Sequence, residues 1–293
     1  MKPKVRLDIC EKDPTLFKEA IDASQDETGF AGAMIEKDYF CTLVLHHLVM
    51  SGDNGLVFKG GTCLSKVYAD FYRLSEDLDF IIPMHSNVSR AARSDAFASA
   101  KVAIESIPDR YPAFQIERLQ GANESKQYLA YLNYKSMYGK GKGIIKIEVG
   151  LRELLWDGPV QGAAKTILLD PITKTALLQP INIPCISFRE SLAEKFRAAL
   201  TRREVAIRDF FDIAYAVQFL DFGYLDRDFL TMVNTKLAVP GNNAPDLSDT
   251  RLADLKAQLE SQLKPVLRPK DFATFDLDTT IEIVKNVART VGY

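Results

Sequence analysis

From Lys59 to Ile82 the chain reads KGGTCLSKVYADFYRLSEDLDFII. A glycine pair opens the stretch, a helical pattern fills it, and two aspartates one residue apart close it on an apolar run. Asp77 and Asp79 fall on what reads as a strand, Asp77 to Ile82, so both carboxylates leave the same face. Like charges held that close repel unless a cation lies between them. Hard divalent ions such as Mg²⁺ bind through one or two carboxylates plus substrate phosphate oxygens. Gly60 and Gly61 carry no Cβ and let backbone approach a phosphate. A helix over about 62–72, starting near Thr62, aims its N–H groups and dipole at that anion. A diglycine alone is often a tight turn, and an isolated D-x-D reads as readily as a solvated strand edge. Their combination in a strand–helix–strand frame points to metal-assisted phosphoryl or nucleotidyl transfer.

Two commoner phosphate cradles are absent: the chain holds neither G-x-x-x-x-G-K-[ST] nor G-x-G-x-x-G. It has 293 residues, enough for one large domain or two smaller ones, with 47% hydrophobic and 26% charged residues. No apolar run approaches the roughly 20 residues of a membrane span. The opening MKPKVRLDICEKDP is polar and lacks a signal-peptide core, so a cytoplasmic protein is expected. Cys10, Cys41, Cys63 and Cys185 form no CxxC pair and read as reduced structural thiols. Net charge is −2, so a nucleic-acid partner would need a local patch. Lys135, Lys140, Lys142 and Lys146 are one candidate patch; Lys195, Arg197, Arg202, Arg203 and Arg208 are another. Each also reads as a solvated face.

Helical patterns cover 14–24, 31–50 and 88–107, and Leu56 to Phe58 is a short buried strand. Extended segments follow near 113–119, 128–137 and 144–151, with Gly139 to Gly143 as a hairpin turn. The last of these strands alternates, with Ile145, Ile147 and Val149 on one face and Lys146 and Glu148 on the other. Glu148 is the candidate third carboxylate of a two-metal arrangement; it reads equally as an outward residue paired with Lys146. A loop rich in proline (Pro159, Pro171, Pro180, Pro184) leads to helices only: one capped by Ser191, then 208–220, 249–264 and 277–290. The order predicts an α+β catalytic domain over 1–185, with N-terminal helices, and a helical C-terminal domain over 186–293 that completes the active site.

In that second region Lys195 and Arg202 share a helical face, and Asp209 and Asp212 share another. Two packed helices pairing their charges explain this pattern. A functional reading puts Lys195 on a triphosphate as a point charge, with Asp209 or Asp212 orienting it or acting as base.

Taken together these residues resemble the AbiEii/AbiGii toxin nucleotidyltransferases, which include the MenT toxins of mycobacteria. The likeness rests on EKDY (36–39), KGGTCLSKVY with RLSEDLDF (59–68, 73–80), AEKFRAAL (193–200) and RDFFD (208–212). It implies a DNA polymerase β-like minimal nucleotidyltransferase fold, a mixed sheet flanked by helices, with a helical C-terminal region. It implies transfer of a nucleotide from a nucleoside triphosphate with Mg²⁺ or Mn²⁺, onto RNA and in particular the 3′ end of tRNA, by a toxin with a cognate antitoxin. By position, Asp77 and Asp79 are metal ligands and catalytic, with Glu148 left as a physical guess. Lys59, Gly60, Gly61, Thr62, Ser65, Ser75 and Lys195 are nucleotide-binding, and Asp209 or Asp212 is the last catalytic acid. Ser75 falls where some relatives are phosphorylated. The chain has Gly61-Thr62 where the wider superfamily often has Gly-Ser, which keeps the hydroxyl. Two alternatives stand beside this reading: the acceptor is a protein or small molecule, or the chain is a non-enzymatic module of the same fold that binds a partner.

Overall fold

The computed structural model describes residues 7–138 and 141–293. Gly139 and Lys140, counted above in the hairpin turn and, for Lys140, in a basic patch, lie outside the described residues, as does the segment 1–6. The chain divides into two compact units, Met1–Ile186 and Ser187–Tyr293.

The first unit is built on one mixed sheet. Its strands are β1 (Val57–Lys59), β2 (Leu78–Ile81), β3 (Phe114–Ala122), β4 (Gln127–Lys135), β5 (Lys142–Gly150), β6 (Val160–Ala164) and β7 (Ile181–Cys185). They lie in the order β3-β4-β5-β2-β1-β7-β6. β2 runs parallel to β5 and β1 parallel to β7, and every other neighbouring pair is antiparallel. Helices flank this sheet, so the unit is α+β as expected, consistent with a nucleotidyltransferase-like fold.

Alternation decides which face carries the core. Along β4, Tyr128, Ala130, Leu132 and Tyr134 are buried while the residues between them are more exposed. Phe40 of the Gly32–Met50 helix stacks on Tyr134 with centroids 4.0 Å apart, and Phe97 of the Arg90–Glu105 helix stacks on Tyr128 at 3.7 Å. The Gly32–Met50 helix is apolar nearly all round, which fits its burial.

EKDY sits on that helix, and each of its four side chains is an anchor. Glu36 accepts from Ser136 Oγ and from the Met137 backbone N–H, holding the β4–β5 hairpin. Lys37 pairs with Glu76 at 2.8 Å, just ahead of Asp77. Asp38 accepts from the Ile167 N–H at 3.2 Å and pairs with Lys66, both side chains being almost wholly buried. Tyr39 donates its hydroxyl to the Leu7 carbonyl. The motif ties the helix to the hairpin, to the segment before β2 and to the turn after the diglycine.

The structure corrects several sequence expectations. The helix expected over 62–72 is a single α-turn, Gly60–Cys63, widened into a π-turn over Leu64–Tyr68. It stops because Asp70 and Phe71 take left-handed backbone angles, φ 44° and 57°. Asp77 precedes β2 rather than lying in it. The proline-rich segment, read as loop, contains β6 and β7. Ser191 is a buried helical residue; the cap is Ser187, whose hydroxyl accepts from the Glu190 N–H at 3.0 Å.

The second unit is helical: Phe188–Thr201, Ile207–Phe219, Arg227–Leu237, Asp249–Gln258 and Leu277–Thr290 are its longer helices. The third was not foreseen. Among the described residues no helix is long and apolar enough to cross a membrane.

Removing Asp38 leaves the Lys66 charge in the interior without its carboxylate: Thr42 Oγ1 at 3.0 Å, a carbonyl and the Phe71 ring, its centre 5.4 Å away, remain. Asp38→Ala is therefore expected to lower unfolding free energy by about 3–5 kcal/mol, the cost of breaking a buried pair. Urea denaturation checks this; a loss below about 1 kcal/mol, the scale of an exposed pair, contradicts it.

Candidate active site

Strand register assembles the first cluster. Lys59 pairs with Asp79 across β1–β2, and Asp79 pairs with Glu148 across β2–β5. Side chains of paired residues share a face, so the three stand in one row. Gly60 follows Lys59 with φ +77°, and a Cβ there would collide with the Asp79 carboxylate. A Cβ on Gly61 would collide with the buried Arg73 guanidinium and lie 3.2 Å from Ser75 Oγ. The glycines therefore do more than leave room for a ligand: a carboxylate and a guanidinium already fill the space their side chains would need.

The connection from the diglycine to β2 is held by internal bonds. Thr62 Oγ1 donates to the Asp77 carbonyl, which fixes the backbone that aims Asp77. Ser65 Oγ donates to the Arg73 carbonyl at 2.6 Å, and Arg73 Nη1 donates to the Leu74 carbonyl at 3.1 Å. Thr62 and Ser65, expected to bind nucleotide, are buried, and their hydroxyls serve this scaffold. Lys59, Gly60, Ser75, Asp77 and Asp79 are half-buried and Gly61 is buried. The register and the Thr62 bond bring these residues to one end of β2. Arg73 was missed; a lone cation shortly ahead of an acidic pair was its only sign in the sequence.

Glu148 is in the expected row, with its oxygens engaged. Gln127 Nε2 donates to Oε1 at 2.6 Å, and Lys146 Nζ contacts Oε2 at 2.7 Å. Burial opposes ionisation of Glu148, but Lys146, Gln127 and Lys59 outweigh it and hold the carboxyl below its ordinary value of 4.5. Lys146 is pushed up despite burial, because Glu148, Asp77 and Asp79 all surround it with negative charge. Among the described residues no group of three or more His, Cys, Asp or Glu side chains forms a metal cage. Of the three expected carboxylates, Glu148 shares the row of Asp79 and is engaged by Lys146 and Gln127. A pair of hard oxygen donors next to a glycine turn suits Mg²⁺, which takes one or two carboxylates and completes its shell with phosphate oxygens and water.

The second unit has its own cluster. Lys195 Nζ lies 2.8 Å from Asp209 Oδ1 and 2.7 Å from Asp212 Oδ2, all three side chains being buried or nearly so. Arg202 Nη1 is 3.2 Å from Asp209 Oδ2, off the hydrogen-bond line. Burial disfavours the Asp209 anion, yet Lys195 and Arg202 hold its carboxyl below the ordinary 3.8. Lys195 is therefore clamped by both candidate aspartates. A further buried set, Lys236 with Glu190 at 2.6 Å and Glu194 at 3.1 Å, had no counterpart in the sequence reading.

The family model for the nucleotidyl transferase AbiEii toxin of type IV toxin–antitoxin systems matches residues 45–282. The chain belongs to the AbiEii family. The match takes in the diglycine, Asp77 and Asp79, Glu148, and the Lys195 cluster. No curated protein matches the chain. Among solved structures, JHP933 from Helicobacter pylori is similar at 15% identity and TM-score 0.52, covering 89% of this chain and 93% of that one. A putative nucleotidyltransferase from H. pylori is similar at 15% identity and TM-score 0.50, covering 87% and 93%. At such identity the likeness speaks for the fold. The AbiEii assignment agrees with the family resemblance; three of its four motifs lie within the matched residues, and EKDY (36–39) lies ahead of them.

Two outcomes follow from the geometry. Gly60→Ala forces a Cβ into Asp79 at positive φ, and is expected to cost at least about 1–2 kcal/mol in stability from backbone strain alone; thermal unfolding that matches wild type contradicts it. Glu148 contributes stability that is complete above 4.5 and fades as pH falls through its lowered folded value. Lys146→Met is expected to raise the Glu148 titration midpoint in carboxyl-carbon NMR; an unmoved midpoint contradicts the pairing.

Proposed function

We propose that the chain is a Mg²⁺-dependent nucleotidyltransferase that moves a nucleotide from a nucleoside triphosphate onto RNA, at the 3′ end of tRNA, as the toxin of a pair with a cognate antitoxin. The observation that carries the reading is the placement of Asp79 against Gly60 with Asp77 anchored through Thr62. Asp77 and Asp79 would hold the cation, Mg²⁺ or Mn²⁺, with Glu148 joining only by exchanging Lys146. Bound there, such an ion supplies charge neutralisation at the triphosphate. The acceptor hydroxyl attacks the α-phosphorus, the bond to pyrophosphate breaks with pyrophosphate leaving, and the hydroxyl proton passes to water. Lys59, Gly60, Gly61 and Ser75 line the nucleotide side, with Thr62 and Ser65 supporting them. Within the second unit Asp209 and Asp212 hold Lys195 in place, and a nucleotide role for Lys195 rests on the motif resemblance alone.

A second acceptor class, a protein or small molecule, is favoured by the net charge of −2 and by the second basic patch, where Lys195, Arg197 and Arg202 are already paired with acids. Purified protein with Mg²⁺, each labelled triphosphate and total tRNA separates the readings. Label is expected in RNA from one of the triphosphates, falling by at least about 100-fold in Asp77→Ala, the scale of removing one electrostatic contributor. Label on a protein band or metabolite instead selects the second acceptor class. No transfer anywhere, with Asp77→Ala as growth-inhibiting as wild type, overturns the enzyme reading.

A further inference from the structure

The sheet face that bears Asp79 and Glu148 continues outward through β4 to the edge strand β3. Lys146 pairs with Tyr131, and Tyr131 pairs with Arg118. Leu78 pairs with Ile147, so Asp77, one residue earlier, meets the Lys146 row. The same row thus runs Asp77, Lys146, Tyr131, Arg118, ending on an open edge. Two strand spacings of ~4.8 Å separate Asp77 from Tyr131, roughly 10 Å. Core-facing Tyr128 and Tyr134 point the other way.

Tyr131 is an aromatic ring on the polar face of its strand. The Arg118 guanidinium lies over it, 4.6 Å from the ring centre. Leu129 and Asn133 flank it along β4, both half-buried, with Gln127 one step beyond Leu129, while Arg118, Lys135 and Lys142 are exposed. With Lys146 these four cations match in number Asp77, Asp79, Glu117 and Glu148, the acids of this face, and the three exposed ones fringe the ring on β3, β4 and β5. A flat ring with an amide on one side, an apolar side chain on the other and a basic fringe matches a base and its phosphates: bases stack on aromatic rings regardless of identity, and cations track the backbone.

We infer that this face is the platform for the acceptor strand, a single-stranded RNA end with one base stacked on Tyr131 and its phosphates along Arg118, Lys135 and Lys142. The inference rests on the nucleotidyltransferase reading and names where its acceptor lies. The triphosphate belongs on the other side of Asp79, at Gly60 and Gly61. The row ends at an edge strand, which leaves a polymer free to continue.

Steady-state transfer with Tyr131→Ala and Tyr131→Phe tests it. Tyr131→Ala is expected to raise KM for RNA about 5- to 150-fold, the range for losing one base stack, while KM for the triphosphate stays within about twofold. Tyr131→Phe keeps the ring and is expected to behave as wild type, which separates stacking from a role of the hydroxyl. Arg118→Ala is expected to flatten the salt dependence of RNA binding. An unchanged RNA KM in Tyr131→Ala, or a shift in the triphosphate KM instead, overturns the platform. If wild-type protein transfers label to no RNA, the function reading has failed. Fluorescence anisotropy of a single-stranded RNA oligonucleotide then still judges the platform: equal affinity of wild type and a folded Tyr131→Ala overturns it, and weaker binding by Tyr131→Ala supports it.

Discussion

The Asp79 carboxylate occupies the volume that a side chain at position 60 would need. The rest of the first unit is arranged around that contact. It requires glycine at a left-handed position, a three-residue β1 ending at Lys59, and the Lys59–Asp79 register. A slip of one residue would turn Asp79 to the core face and bring Leu78 outward. The same contact sets the acidic pair beside the turn where a triphosphate would be received, so stability and chemistry rest on one packing constraint.

Buried charge is the second organising device. Asp38–Lys66, Lys195 with Asp209 and Asp212, and Lys236 with Glu190 and Glu194 are all nearly shut off from water. Such pairs add little net stability compared with apolar packing, but losing one partner is costly. In the first unit the buried Lys66 holds the turn after the diglycine, and a more exposed pair, Lys37–Glu76, ties the segment next to Asp77. In the second unit they fix Lys195 between two carboxylates.

How much of this could be read from the residues differs by element. The alternation in β5 and the continuous apolar pattern of Gly32–Met50 were plain, because burial imposes periods of 2 and 3.6 directly on local sequence. The diglycine and D-x-D were legible as a unit for the same local reason. β6 and β7 were not, since Pro159 and Pro184 read as breakers; β7 tolerates its proline because its ladder to β1 is a single pair, Phe58–Cys185. The Arg227–Leu237 helix could have been found: Asp226 caps it, and Phe229, Met232, Val233 and Leu237 recur at helical spacing. Lys146 on Glu148 was legible, because the two stand two residues apart on one face of β5, whereas Arg73 over Gly61 and Lys236 on two glutamates depend on the fold bringing distant residues together. A single sequence carries no mark of such pairings.

The central claim is that the pair at 77 and 79 receives a divalent ion together with a triphosphate. Electron paramagnetic resonance of Mn²⁺ with a non-hydrolysable nucleoside triphosphate tests it most directly. Wild-type protein is predicted to bind Mn²⁺ tightly when the nucleotide is present, and Asp79→Asn to lose that signal while staying folded. Identical Mn²⁺ binding by the two proteins, with or without nucleotide, would contradict it.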